Sequence, residues 1–158
     1  MVMNMQRREL RRILLATDGS AQAFRAVDYA AELAICCRAE ITLLMVAQIQ
    51  IHVSDWEKVM LGGQIPSELK VAAWAFLSDL IHFIPAFVPT HIRVEVGSPG
   101  ETILSVAEEE NSDLNVLGSR GMGSTDSDFI GSVSHYVLTH TERSVFLSKG
   151  MPQDGIWD

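Results

Sequence analysis

Late in the chain a short apolar run, Leu114 to Leu117, ends in Gly118-Ser-Arg-Gly121, and nine residues further on Gly131-Ser132 opens a predicted helix. A strand that finishes in glycine and re-enters a helix constrains fold and chemistry together. Glycine lets a backbone approach an anion closely, and the unpaired N–H groups of a helix's first turn point at it. Near the N-terminus Ile13 to Ala16 repeats the theme, running into Thr17-Asp18-Gly19-Ser20 before another predicted helix. Two such junctions, far apart in sequence, call for a fold that gathers strand ends at one place.

The rest of the chain supplies that fold by alternation. Ile13 to Ala16 has few polar interruptions, as a strand buried on both faces requires. The helix after Ser20 places Phe24, Val27, Ala31 and Ala34 on one stripe, and Ile41 to Ala47 reads as the second strand. Gln48 to Ile65, with Gly62-Gly63 and no strong periodicity, reads as a loop with at most a short helical piece. Pro66 suits a helix start, and the helix is expected to run through Leu69 to Ile84 until Pro85. Its sheet-facing stripe is predicted as Leu69, Ala73, Phe76, Leu80 and Phe83, with Trp74, Leu77 and Ile81 on the flanks.

His91 to Val96 is the predicted third strand. Ser98-Pro99-Gly-Glu101 predicts a capped helix, with Ser98 and Glu101 bonding reciprocally and Pro99 in the first turn. That helix turns Ile103, Val106 and Ala107 inward and ends in Glu108 to Glu110. Leu114 to Leu117 is the fourth strand, a fourth helix spans about Ser132 to Thr141, and Val145 to Ser148 is the last strand. Five strands alternating with four helices predict an α/β fold: a parallel sheet covered on both faces and joined by right-handed crossovers. In such sheets ligands sit beyond the carboxyl ends of the strands, where strand order reverses.

A chain of 158 residues predicts a single domain over 1–158, with its core at about 12–149. Hydrophobic residues make up 47% and charged residues 20%, a globular composition. The formal net charge of −8 argues against nucleic-acid binding, which needs a basic face. Met1 to Leu10 lacks the apolar core of a signal peptide, and the neighbouring Cys36 and Cys37 cannot staple distant segments. A reducing cytoplasm is therefore the expected location. The apolar stretch Val71 to Val88 is interrupted by Asp79, His82 and Pro85, whereas a spanning helix wants about 20 apolar residues, so membrane contact is not expected.

The spacing G-x2-G-x9-G-S from Gly118 to Ser132, with the Ala16-Thr17-Asp18-Gly-Ser turn, resembles the ATP-binding members of the universal stress protein family. Gly97-Ser-Pro-Gly-Glu101 and Ser132-Val-Ser134 are also similar to that family, and the resemblance runs from about Arg12 to Lys149. It implies a three-layer α/β/α domain with strand order 3-2-1-4-5, which would bring Asp18 and Gly118 to one crevice. It further implies that Ala16, Thr17 and Asp18 form the turn beside the nucleoside and that Val46 packs on adenine. Leu117, Gly118, Arg120, Gly121, Gly131, Ser132, Val133 and Ser134 would hold the phosphates. ATP would come with Mg2+ or Mn2+, and Asp18 would contact the ribose or the metal. Turn-making remains an open reading of Asp18, as helix capping does of Ser132 and Ser134. The family order leaves the last strand at an edge, where Val145, Phe146 and Leu147 predict antiparallel pairing with a second copy.

The chain departs from the family at Asp126 and Asp128, whose charges oppose a polyphosphate unless they face solvent or hold a bridging Mg2+ or Mn2+, and at Asn115, a polar residue inside an apolar strand that marks either the crevice edge or an edge-of-core position. No P-loop, no dinucleotide G-x-G-x-x-G after the first strand and no G-x-S-x-G elbow is present. The five histidines, at 52, 82, 91, 135 and 140, show no metalloenzyme spacing. Besides Arg120 the motif places no basic group to stabilise a transferring phosphoryl group, so turnover of ATP is expected to be slow or nil. Two functions follow: an ATP-dependent regulatory or stress-response module with an unidentified protein partner, or a dimeric interaction or stress-protection protein of the same fold that binds no nucleotide.

Overall fold

The computed structural model describes residues 9–20, 23–48, 67–120 and 130–149. Its strands and helices alternate: β1 (Arg12–Thr17), α1 (Phe24–Cys37), β2 (Glu40–Ala47), α2 (Ser67–Leu80), β3 (Thr90–Val96), α3 (Pro99–Glu109), β4 (Leu114–Gly118), α4 (Ser132–His140) and β5 (Ser144–Ser148). A 3-10 turn, Ile81–Phe83, follows α2. Every strand pairing is parallel and the order is β3-β2-β1-β4-β5, as the resemblance implied.

β1 is central, and its register explains its composition. Ile13 pairs with Ile41 on one side and Leu114 on the other, while Ala16 pairs with Leu44 and Leu117. Ile13 and Leu15 face one layer, Leu14 and Ala16 the other, so no position from Ile13 to Ala16 could be polar without a buried partner.

α1 and α2 cover the first face. From α1 the buried residues are Ala26, Val27, Ala30, Ala31 and Ala34, small side chains that let the helix lie close to the sheet. Phe24, expected on that stripe, is instead exposed and meets Phe83 edge to face at 5.5 Å. The stripe of α2 also differs from expectation. Ala73, Leu77 and Leu80 are buried, with Ile84 and Val88 beyond the helix, whereas Leu69 and Phe83 are exposed. The reason is twofold. α2 is apolar nearly all round, so its periodicity marks no face, and tightening into a 3-10 turn after Leu80 shifts the phase before Pro85 is reached.

α3 and α4 cover the second face, with Ile103, Val106, Ala107 and Val137 packed on Leu14, Ala16, Leu44 and Leu117. They approach closely at Gly100, where a Cβ would stand 2.5 Å from Cδ1 of Tyr136. The reciprocal cap expected at Ser98 is not made. Ser98 is exposed and forms no side-chain cap, so the helix start rests on Pro99 and on the Thr102 N–H donated to the Ser98 carbonyl at 2.9 Å.

At the other end of α3 three carboxylates crowd a helix C-terminus, where the dipole disfavours them. Arg93 on β3 offsets this by donating to Glu109 at 2.6 Å and Glu110 at 3.0 Å, besides its bond to Glu95 at 2.7 Å. Arg143 donates twice to Glu108, at 3.0 and 2.8 Å, and to the Ser112 carbonyl at 2.7 Å. The sequence showed the acidic end of this helix but not its two cationic partners, which arrive from a neighbouring edge strand and from the lead-in to β5.

Among the described residues no helix is long and apolar enough to cross a membrane. Cys36 and Cys37 close α1 as free, exposed thiols, so neither packs against the core. Arg38 follows them in the left-handed region, φ 56, and its N–H bonds back to the Ala34 carbonyl.

Candidate functional site

The carboxyl ends of β1 and β4 lie side by side because Ala16 pairs with Leu117, and there the strand order turns from falling to rising. β1 leaves the sheet through a turn that its own side chains build. The Thr17 hydroxyl accepts the Gly19 N–H at 3.2 Å, and the Asp18 carboxylate accepts the Ser20 N–H at 2.9 Å. Gly19 takes φ 82, a conformation that favours glycine, which explains the Asp-Gly pair. Asp18 is thereby both a turn residue and an exposed carboxylate at the crevice, so its two readings are compatible.

The second wall is β4 and the start of α4. The Ser134 hydroxyl, buried, donates to the Gly118 carbonyl at 2.7 Å and ties the first turn of α4 to the end of β4. The Ser119 N–H reaches the Ser148 carbonyl of β5 at 2.7 Å, and the Gly131 N–H returns to the Ser119 carbonyl at 2.7 Å. α4 thus starts over the end of β4 with no side-chain cap at Gly131, and its first intrahelical bond runs from the His135 N–H to the Gly131 carbonyl at 2.9 Å. The N–H groups of Ser132, Val133 and Ser134 precede that bond, as first-turn donors do. Capping by Ser132, one of the two readings open in the sequence, is not what its side chain does here; Ser132 is exposed.

Among the other expected site residues, Ala16 and Leu117 are buried in the cluster under α3 and α4, with Val46 and Val133 packed against it and partly exposed. These four lie at the carboxyl ends of β1, β2 and β4 and the start of α4, on the face that α3 and α4 cover. Ser98 and Gly97 adjoin it through the Gly97 N–H, which bonds to the Ala47 carbonyl at 3.2 Å. Arg120 is half-buried on the β4 side. Gly121, Asp126 and Asp128 lie outside the described residues, as does most of the predicted loop after Gln48.

Asn115 does not mark the crevice. It sits near the amino end of β4, paired with Leu14 and Val145, away from the glycine end of the strand. It is fully buried, its Oδ1 accepts the Ser112 hydroxyl at 2.8 Å, and its Nδ2 has no partner. The sequence also gave no signal for the bond from Ser119 to Ser148, because backbone pairing between β4 and β5 depends on register alone.

Among the described residues no cluster of His, Cys, Asp or Glu is arranged to hold a metal by itself.

A model of the universal stress protein family matches residues 9–149. Universal stress protein Sll1388 of Synechocystis sp. is 44% identical over 54 residues, which cover 34% of this chain and 35% of that protein. The chain thus matches about a third of that relative's length. Universal stress protein UspA from Lactobacillus plantarum has a similar structure, with a TM-score of 0.73 at 26% identity over 89% of this chain and 98% of that one. A universal stress protein in complex with cAMP gives 0.68 at 21% identity over 90% and 99% of the two chains. The universal stress protein from Archaeoglobus fulgidus in complex with dAMP gives 0.66 at 22% over 88% and 98%. The latter two likenesses are of fold. With the glycine junctions, the strand order and the family match over residues 9–149 in agreement, this chain belongs to the universal stress protein family.

Proposed function

We propose that this protein binds an adenine nucleotide, ATP with Mg2+ or Mn2+, at the carboxyl ends of β1 and β4, and that occupancy governs a regulatory or stress-response role in the cytoplasm. The observation that carries the reading is the junction of β4 with α4. Glycine at the strand end, an uncapped helix start and the Ser134 bond to Gly118 hold first-turn N–H donors over the switch point of the sheet. Phosphate oxygens would accept from Ser132, Val133 and Ser134, while Arg120 would supply positive charge. Val46 and Ala16 would offer an apolar floor to the base, and Asp18 would accept from ribose hydroxyls or share a cation with the phosphates. Relatives in complex with cAMP and dAMP support an adenine ligand on this fold.

The test is calorimetry with Mg-ATP, with AMP and cAMP as competitors. Gly131→Val, which adds bulk beside the donors, should weaken binding at least tenfold, about 1.4 kcal/mol. Asp18→Ala should weaken it less and reduce the dependence on the divalent cation. No heat and no thermal shift with the parent chain would overturn the reading.

The second reading, a dimeric interaction module without nucleotide, draws on β5. It is an edge strand whose Val145, Phe146 and Leu147 are only partly covered. Tyr29 of α1, in ring contact with Phe146 at 5.1 Å, and Leu138 of α4 are exposed. An antiparallel β5–β5 homodimer would cover this strand and is proposed under both readings. Light scattering decides it: a monomer mass at micromolar concentration refutes the dimer. A nucleotide-free dimer leaves the second reading in place.

A further inference from the structure

At the opposite end of the sheet from the glycine junctions, the amino ends of β1 and β2 frame a basin of about 710 Å³. Arg11, Arg12 and Arg38 line it, together with Glu9, Glu40 and the thiol-bearing Cys37. Arg11 is held by Glu9 at 2.5 Å and Arg12 by Glu40 at 3.5 Å. Among the described residues Arg38 has no carboxylate partner. Asp113 stands behind the wall, accepting the backbone N–H groups of Arg11 and Arg12 at 2.9 Å each, and does not line the basin. Arg11 and Arg12 are thus neutralised by carboxylates, and the charge this basin offers an anion is that of Arg38, beside Cys37, on a chain whose net charge is −8.

Cys37 is free and exposed at the wall of this basin. Cys36 is equally free and exposed, one residue away, but helix geometry turns it roughly 100° aside, and it does not line the basin. The two thiols share sequence neighbourhood, helix end and solvent access. They differ in what stands before them.

We propose that Cys37 is a modification site for small disulfides flanked by carboxylates, with Arg38 and its basin holding the carboxylates while the sulfur reacts. The step is thiol–disulfide exchange. The Cys37 thiolate attacks one sulfur of the incoming disulfide, a new S–S bond forms to Cys37, and the old S–S bond breaks. The departing thiolate takes the electron pair and then a proton from water, so the incoming disulfide is the oxidant and no further co-reactant is needed. Selectivity arises because the carboxylates of the incoming disulfide pair with Arg38 in the basin before the sulfur reacts, which raises their concentration more at Cys37 than at Cys36.

The experiment treats the reduced full chain with oxidised glutathione, a net anion, and in parallel with cystamine, a cationic disulfide, and quantifies each cysteine by peptide mass mapping. The ratio of Cys37 to Cys36 labelling within one reagent cancels that reagent's intrinsic reactivity. With glutathione the expected ratio is about fivefold or more at low salt, falling toward one at high salt as the charges are screened. With cystamine it should be one or below. Arg38→Gly suits the left-handed backbone at that position and keeps the fold, and it should lower the glutathione ratio about three- to tenfold without lowering the cystamine ratio. Equal labelling of the two cysteines by glutathione, a cystamine ratio as high as the glutathione ratio, or an unchanged ratio in Arg38→Gly would each overturn the proposal.

Discussion

Removing the hydroxyl of Ser112 should cost more than removing the whole polar pair it belongs to. Asn115 is 0% exposed, and its amide has one satisfied end, Oδ1 on the Ser112 hydroxyl at 2.8 Å, and one orphaned end, Nδ2. Ser112→Ala strands the other end too, leaving a buried amide with no side-chain partner, at a cost of about 1–3 kcal/mol. Asn115→Leu removes the orphan and adds apolar burial beside Leu14 and Val145, a gain of about 1.5–3 kcal/mol. It also leaves the buried Ser112 hydroxyl unpaired, a loss of about 1–3 kcal/mol, so the single variant should lie near the parent. The double variant, Ser112→Ala with Asn115→Leu, carries no orphan. It should exceed the parent by about 1–2 kcal/mol, less whatever strain the larger side chain introduces. Urea denaturation of the parent and three variants measures this directly, with unchanged slopes and shifted midpoints expected. A double variant less stable than Ser112→Ala would refute the reasoning, because it would mean that the Nδ2 group has a partner, such as a buried water.

Gly100→Ala would set a Cβ 2.5 Å from the Tyr136 ring, so α3 and α4 must part; the loss should be about 1–3 kcal/mol, and Tyr136→Leu in the same chain should recover part of it in thermal melts. Ser134→Ala leaves the Gly118 carbonyl without its donor and should cost about 0.5–1.5 kcal/mol, read as a lower urea midpoint. Acid should act through the end of α3. Hydrogen bonds from Arg143 and Arg93 hold the carboxyls of Glu108 and Glu109 below their ordinary 4.5, so the unfolded chain takes up protons first as pH falls. The stability these contacts add is complete above about pH 4.5 and is lost as pH drops through the lower folded values. Arg143→Gln should flatten that acid limb, and an unchanged limb would show that the contacts add nothing.

The alternation of strands and helices was legible because each signal is local. β1 is apolar from Ile13 to Ala16 since both faces are covered there, Asp18-Gly19 marks a turn because glycine accommodates φ 82, and Pro99 marks a helix start. The pairing of the two glycine-ended junctions was legible only through the resemblance, since nothing in either segment encodes that Ala16 lies beside Leu117. What tertiary structure decided is of another kind. α2 is apolar on nearly every face, so its own sequence could not say that Leu77 goes inward and Leu69 outward; the neighbouring strands made that choice. Ser134 bonds to Gly118 rather than capping its helix, because the close approach of α4 to β4 puts a carbonyl within 2.7 Å of the hydroxyl. Arg93 and Arg143 reach Glu108 to Glu110 from elements remote in sequence. Periodicity and turn chemistry act over a few residues and can be read in order along the chain, whereas the partner of a long polar side chain is whatever group the packed layers bring within hydrogen-bonding distance.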